Sequence, residues 1–161
     1  MTQEQKDLLL KDLCARLPYG VKVALKNNGA YHHDNVAKKG DITIDRLKGF
    51  NGRYFSIYHD NPLDLDWYDS DVDVEDIKPY LFPLESMTDE QKKTFFETAG
   101  YEKREEDCGR HTETYCYDMV GHEDKLYPNY DSIDWCNENH FDYRGLIEMG
   151  LAIDATGLNI Y

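Results

Sequence analysis

The chain has 161 residues, of which 32 are Asp or Glu and 18 are Lys or Arg, so its formal net charge is −14 at pH 7. A chain of this length fits one compact domain, and its hydrophobic fraction of 40% is large enough for a folded core. The negative charge argues against direct binding to nucleic acid or to an anionic membrane, because both attract cationic surfaces.

The first segment, TQEQKDLLLKDLCARLP, predicts an amphipathic helix. Thr2 followed by Gln5 is the pattern of a capping box, and Pro18 marks the end of the helix. Charged residues interrupt the apolar ones, so the segment does not read as a signal peptide, and no apolar run approaches the roughly 20 residues of a transmembrane helix. We therefore expect a cytoplasmic protein whose four cysteines stay reduced.

Alternating apolar and polar residues then predict a set of antiparallel strands. The first three are VKVAL at 21–25, DITIDRL at 41–47 and RYFSIYH at 53–59. Val72, Val74 and Ile77 predict a fourth strand. Pro79 and Pro83 confine the continuation of that strand to a sheet edge or a loop, because proline lacks the N–H of a central strand.

The second half of the chain predicts helices with one strand between them. Thr88 and Gln91 form a second capping box, and Gly100 ends the helix that it begins. TETYCYDMV alternates as a strand does, and DSIDWCNENH predicts a short helix whose N-cap is Asp131 or Ser132.

The last residues predict one more helix and an apolar tail. DYRGLIEMG has Asp142 as its cap and ends near Gly150, and LNIY places Leu158 and Ile160 inward. We expect a single domain, residues 1–161, of the α+β class. Its predicted form is a small twisted antiparallel sheet or partly closed barrel of four to five strands over residues 20–80, with about four helices.

Three phrases of the sequence resemble a family of small proteins that phages and mobile elements of gut bacteria carry. These phrases are KDLCARLPYGVKV, DIKPYLFPLESMTDEQKK and IDWCNENHFDYRGLIEMGLAIDATGLNIY. The family has no established activity, so the resemblance implies no catalytic residue. It implies a bacterial or phage-infected cytoplasm and a shared scaffold.

The densest chemical feature is the acidic segment DNPLDLDWYDSDVDVED. On a strand, Asp71, Asp73 and Glu75 would form one row of carboxylates while Val72 and Val74 face the core. Such a row could discourage pairing with other sheet edges, or it could imitate phosphates toward a basic partner. The candidate binding residues are Asp64, Asp66, Trp67, Tyr68, Asp69, Asp71, Asp73 and Glu75.

A second constellation contains the side chains that zinc prefers. The candidate ligands are Cys108, His111, Cys116, Cys136 and His140. Cys136 and His140 lie four residues apart, which would place them on one helical face, but neither half has the spacing of a zinc finger. Ordinary core or surface thiols explain the same residues.

No catalytic motif stands out in the sequence, and no catalytic residues are assigned. We expect a small acidic, non-enzymatic binding protein of phage or mobile-element origin, without a cofactor. Its expected partner is a basic surface of a host or defence protein that handles nucleic acid. The alternatives are a zinc-stabilised interaction module, a structural or assembly component, and an enzyme of unknown type.

Overall fold

The computed structural model describes residues 1–26, 42–59, 68–99, 101–107, 112–118 and 129–161. For a set of strand residues within these ranges only the backbone is described: 26, 42–45, 58–59, 68–71, 101–107 and 112–118.

Helix α1 spans Gln3–Arg16, as the sequence predicts. The Thr2 hydroxyl accepts a hydrogen bond from the Gln5 N–H at 3.2 Å, and the Gln5 side chain accepts one from the Thr2 N–H at 3.0 Å. The predicted capping box is therefore confirmed. A 3-10 turn over Leu17–Tyr19 follows, and Gly20, at a φ of 63°, leads the chain into the sheet.

Eight strands lie in the described residues. They are β1 (Lys22–Lys26), β2 (Ile42–Phe50), β3 (Phe55–His59), β4 (Tyr68–Val72), β5 (Ile77–Leu81), β6 (Tyr101–Asp107), β7 (Thr112–Asp118) and β8 (Ile153–Asp154). The main sheet has the order β4-β3-β2-β1-β5-β8, in which β8 pairs parallel with β5 and the other neighbours are antiparallel. Strands β6 and β7 form a separate antiparallel hairpin.

The main sheet must be strongly curled. A flat sheet would place β4 and β5, four strand spacings apart, about 19 Å from each other. The five peptide steps from Val72 to Ile77 reach at most about 18 Å when fully extended, and the chain spends three of these residues in a 3-10 turn. The sheet nevertheless does not close into a barrel. The α+β class is confirmed, but the sheet is mixed and not wholly antiparallel, because β8 pairs parallel with β5.

The prediction that Pro79 marks an edge or a loop is wrong, because β5 lies between β1 and β8. Two features make the proline compatible with this position. Pro79 stands opposite Val23 of β1. The Leu47 N–H of β2 donates to the Val21 carbonyl oxygen. Because every second residue of a strand directs its backbone groups to the same side, Val23 also directs its N–H and carbonyl groups toward β2 and away from β5. The nitrogen of Pro79 therefore faces the side of β5 on which β8 lies. Strand β8 pairs only with Tyr80 and Leu81, so no ladder bond is required from Pro79.

Helix α2 spans Asp89–Thr98, and its predicted capping box of Thr88 and Gln91 is confirmed. Helix α3 spans Tyr130–Glu138. Its N-cap is Asn129, whose side-chain oxygen accepts the Ser132 N–H at 2.8 Å, and not Asp131 or Ser132 as predicted. The predicted end of α2 at Gly100 lies outside the described residues.

The predicted fourth helix, residues 142–150, is wrong: the segment forms consecutive turns, so the described residues contain three α-helices. Gly145 has a φ of 70°, which a right-handed helix does not allow. The Asp142 carboxylate accepts the N–H groups of Leu146 and Ile147 at 2.9 and 2.7 Å. These residues lie four and five positions on, beyond the second or third position that a helix N-cap bonds.

The largest core cluster packs α1 on one face of the main sheet. Alternate residues of the β1 region, Val21, Val23 and Leu25, contact this cluster together with Leu9 and Leu13 of α1. The intervening Ala24 belongs to a second cluster on the other face. The period-two pattern that predicted β1 therefore reflects the face that α1 covers, and Ala24 is buried on the opposite face as well.

The prediction that Leu158 and Ile160 both point inward is wrong for Leu158, which is 50% exposed. The LNIY segment does not continue as a strand, since Asn159 has a φ of 49°. Ile160 is partly buried against Ala24 and its neighbours, as predicted. None of the helices in the described ranges is long and apolar enough to cross a membrane.

Candidate functional site

The predicted acidic row lies only partly within the described residues. Asp64, Asp66 and Trp67 lie outside them. Tyr68, Asp69 and Asp71 lie on β4, the outermost strand on one side of the main sheet, and only their backbone is described. In the register of β4 with β3, Asp69 stands opposite Ile57.

The continuation of the row through Asp73 and Glu75 as one strand is wrong. Strand β4 ends at Val72, and Val74–Asp76 form a 3-10 turn. Val74 is buried in the core cluster that α1 covers, and this turn is how the chain crosses from β4 to β5. Burial of one valine thus breaks the strand, while the carboxylates of Asp73 and Glu75 stay exposed.

These carboxylates meet helix α1. The Lys6 ammonium donates a hydrogen bond to Glu75 at 2.9 Å. This bond, together with the negative charges of Glu75, Asp73 and Asp7, raises the pKa of Lys6, and the same bond lowers the pKa of Glu75. Three carboxylates share one ammonium here, so the group keeps a net negative charge. We call Asp7, Asp73 and Glu75 the α1 acidic surface.

Sequence reasoning missed the contribution of Asp7, which is 66 residues from Asp73 in the chain. A signal was present, since Glu4 and Asp7 lie in the first two turns of a helix whose apolar face was predicted. The proximity of that helix to the 3-10 turn is a tertiary contact, which no local pattern contains.

A second acidic surface lies on α3 and was also missed. Asp131, Asp134 and Glu138 are exposed and spaced by three and four residues, which puts them along one side of the helix. The Tyr19 hydroxyl donates to Asp134 at 2.6 Å, and this bond raises the pKa of Tyr19. Tyr130, 92% exposed, begins the same helix.

The zinc hypothesis loses its geometric basis at the two ligands that the structure describes fully. Helix α3 ends at Glu138, and His140 has a φ of 59°, so Cys136 and His140 do not share a helical face. Burial raises the pKa of Cys136 to about 11, which keeps the thiol protonated. Cys108 and His111 lie outside the described residues, and only the backbone of Cys116 is described. In the part of the chain that the structure describes, no three His, Cys, Asp or Glu residues are grouped to hold a metal ion.

A buried ion pair joins α1 to the segment after α3. Arg16 and Asp12, both fully buried, form a two-point contact at 2.8 and 3.2 Å. Arg16 also donates to the carbonyl oxygens of Cys136 and Phe141, and Arg144 donates to the same Asp12 carboxylate at 3.1 Å. Every partner in this cluster is internal, so its role is to fix the C-terminal segment on α1.

His140 lies beside this cluster and stacks on Tyr161, with ring centroids 4.0 Å apart. Burial, and next the Arg16 charge, lower the pKa of His140 to about 4, so the imidazole is neutral near pH 7. Burial also raises the pKa of Tyr161, whose hydroxyl therefore stays protonated. The Tyr161 hydroxyl is hydrogen-bonded to the backbone at Lys22 and Tyr80, whereas Nδ1 of His140 is buried without a hydrogen-bond partner among the described residues.

No family model, curated protein or solved structure matches this chain.

Proposed function

We propose that this chain is a non-enzymatic binding protein, of phage or mobile-element origin, whose acidic surface binds a basic surface of a host or defence protein that handles nucleic acid. The observation that carries the proposal is the charge of −14, together with its distribution. In the described residues with defined side chains, exposed acidic side chains outnumber exposed basic ones.

The α1 acidic surface supports the choice of a charged partner. Asp73 and Asp7 remain exposed beside a single Lys6, and the Lys6–Glu75 pair is itself exposed, so solvent weakens the compensation that it provides. Residues 60–71 carry five further carboxylates in sequence continuity with this surface. A field of one sign over such a length accelerates encounter with an oppositely charged protein.

The proposed class of partner follows from the same electrostatics. A protein that handles nucleic acid presents lysine and arginine at the spacing of backbone phosphates. Carboxylates held at successive turns and strand positions can occupy that surface in place of phosphates. Trp67, with Tyr68 beside it in the acidic segment, is the predicted aromatic anchor of the contact.

The test is capture of partners from bacterial lysate by the whole chain at low and at high salt, with duplex DNA as competitor. We expect the captured proteins to be basic, to be released by DNA, and to be lost when salt screens the charges. The variant Asp71→Lys with Asp73→Lys should reduce capture by about tenfold or more. Glu75 is left unchanged, because its pairing with Lys6 holds α1 to the 3-10 turn.

A matched control changes the charge by the same amount on the other acidic surface. Asp131→Lys with Glu138→Lys spares Asp134 and its bond from Tyr19. Capture that survives in this control and is lost in the first variant supports the proposal, provided that both variants keep the wild-type Tm. Equal capture by all three proteins, or partners that DNA does not displace, would overturn it.

A further inference from the structure

One side of the main sheet ends at strand β4. In the part of the chain that the structure describes, β4 pairs with β3 and with no other strand, and the sheet does not close on itself. An outermost strand directs half of its backbone N–H and carbonyl groups away from its sheet, and a further extended chain can bind to them.

The pairing of the sheet shows how the backbone of β4 is directed. The Leu47 N–H donates to the Val21 carbonyl oxygen, so Leu47 of β2 directs its backbone groups toward β1. Two residues directly opposite in an antiparallel pair direct these groups either toward each other or both away. Ile57 of β3 stands opposite Leu47 and therefore directs its groups toward β4, where it stands opposite Asp69. Asp69 is thus bonded toward β3.

The neighbours of Asp69, Tyr68 and Ser70, direct their N–H and carbonyl groups to the outer side of β4, because successive residues of a strand alternate. A bulge follows, since between Asp69 and Val72 the strand has one residue more than β3 has. A bulge bends and twists its strand. Within β4, the regular outer edge that an added strand could pair with is therefore Tyr68–Ser70.

The charge of this edge selects the kind of strand that it can bind. Asp69 and Asp71 lie on β4, and Asp73 and Glu75 follow it with exposed carboxylates. No basic residue occurs between positions 60 and 76. Opposite charges on neighbouring strands are favourable, whereas like charges are unfavourable. A strand rich in lysine or arginine is favoured here, and a second copy of β4 is disfavoured.

We propose that the outer edge of β4 binds an extended basic segment of the partner protein as an additional strand. The backbone at Tyr68 and Ser70 supplies hydrogen bonds to any extended chain, and the carboxylates of Asp69 and Asp71 select lysine and arginine. This mode of binding rests on the proposed function and adds the form of the partner, which is an extended chain and not a helix.

A synthetic peptide of four Lys-Val repeats, capped at both ends, tests the edge in the full-length chain. In the free protein we expect rapid amide hydrogen exchange at Tyr68 and Ser70, and slower exchange at Asp69, which is bonded to β3. Saturating peptide should slow the exchange at Tyr68 and Ser70 about tenfold, because their N–H groups become hydrogen-bonded. Spermine, which has four positive charges and no amide group, should leave both rates unchanged.

The variant Ser70→Pro removes one outward N–H without changing the charge, and Ser70→Ala is its matched control. Proline is tolerated on an edge strand where its nitrogen faces away from the sheet. We expect calorimetric titration to show that the peptide binds Ser70→Pro about tenfold more weakly than it binds Ser70→Ala. If Ser70→Pro does not fold, the exchange measurement on the wild type decides alone.

Slow exchange at Tyr68 and Ser70 in the free protein would overturn the proposal, because the edge would already be covered. Sedimentation would then show whether a second copy or the chain itself covers it. Equal binding of the peptide by Ser70→Pro and Ser70→Ala would also reject the added strand. If Asp71→Lys with Asp73→Lys still abolishes binding in that case, the proposed function stands and only the strand-like mode of binding is wrong.

Discussion

At the scale of single residues, the strongest feature is the buried carboxylate of Asp12, which faces two guanidinium groups. Arg16 approaches it with two nitrogens and Arg144 with a third. A buried ion pair of this kind stabilises the fold little more than a pair of well-packed apolar side chains would. Removal of one partner, in contrast, is strongly destabilising, because it leaves an uncompensated buried charge.

We predict that Asp12→Ala lowers the free energy of unfolding by about 3 to 5 kcal/mol, because Arg16 keeps its charge while fully buried. Chemical denaturation measures this loss. The matched control is Asp7→Ala on the exposed side of the same helix, which should change stability by less than about 0.5 kcal/mol. Similar losses in both variants would show that the burial of Asp12 is not what matters.

The second prediction at this scale concerns His140. Its pKa is about 4 in the folded chain against an ordinary value of 6.5. As the pH falls from 6.5 toward 4, the unfolded chain binds a proton that the folded chain refuses, so stability must fall over this window. The imidazole keeps some contact with water, and we expect a loss of about 1 to 2 kcal/mol between pH 7 and pH 5.

The variant His140→Asn isolates this contribution, since asparagine tolerates the φ of 59° at this position. Urea unfolding at pH 7, 6 and 5 should show a shallower pH dependence for the variant than for the wild type. Parallel curves for the two proteins would contradict the assignment of this pH dependence to His140.

At the scale of helices and strands, the predictions that were confirmed rest on local sequence signals, and the elements that were missed lack such signals. Both capping boxes were predictable, because Thr2 with Gln5 and Thr88 with Gln91 satisfy the backbone donors of their own helix. Strands β1 to β3 and β7 were predictable from alternation. The sequence YEKREED of β6 has no such pattern, so its pairing with β7 was not anticipated.

The element predictions that were wrong are those in which a tertiary contact or a single backbone angle outweighed the local sequence pattern. Residues 142–150 have an aspartate at the predicted cap and apolar residues, but Gly145 at positive φ stops helical propagation. The strand expected through Val74 turns instead because Val74 is buried beneath α1. Pro79 was expected at a sheet edge, but it lies on β5, which has a strand on either side. Strand β8 is so short that it does not reach Pro79, so the missing N–H of the proline breaks no bond to β8.

At the scale of the whole molecule, the dominant quantity is the net charge. A formal charge of −14 on a domain of this size repels itself, and this repulsion opposes the compact state. Salt shortens the range of that repulsion from about 10 Å at 0.1 M to about 3 Å at 1 M.

We therefore predict that the Tm rises by a few degrees as NaCl increases from 0.01 to about 0.5 M. Differential scanning calorimetry measures the change, and KCl should act equally if screening is the cause. The Asp131→Lys, Glu138→Lys protein, less negative by four charges, should respond less. A Tm that falls with salt, or that responds equally in the two proteins, would mean that self-repulsion is not a major term.

The sequence by itself determined the features that depend on neighbours along the chain: the caps of α1 and α2, the alternating strands, the α+β class and the acidity. Only the tertiary structure brought Asp7 and Asp73 to the same Lys6, placed Arg144 on Asp12 and bonded the Tyr161 hydroxyl to the backbone of Lys22 and Tyr80. These contacts join residues dozens of positions apart. Their energy depends on where the curled sheet places each backbone group, and no local spacing encodes that position.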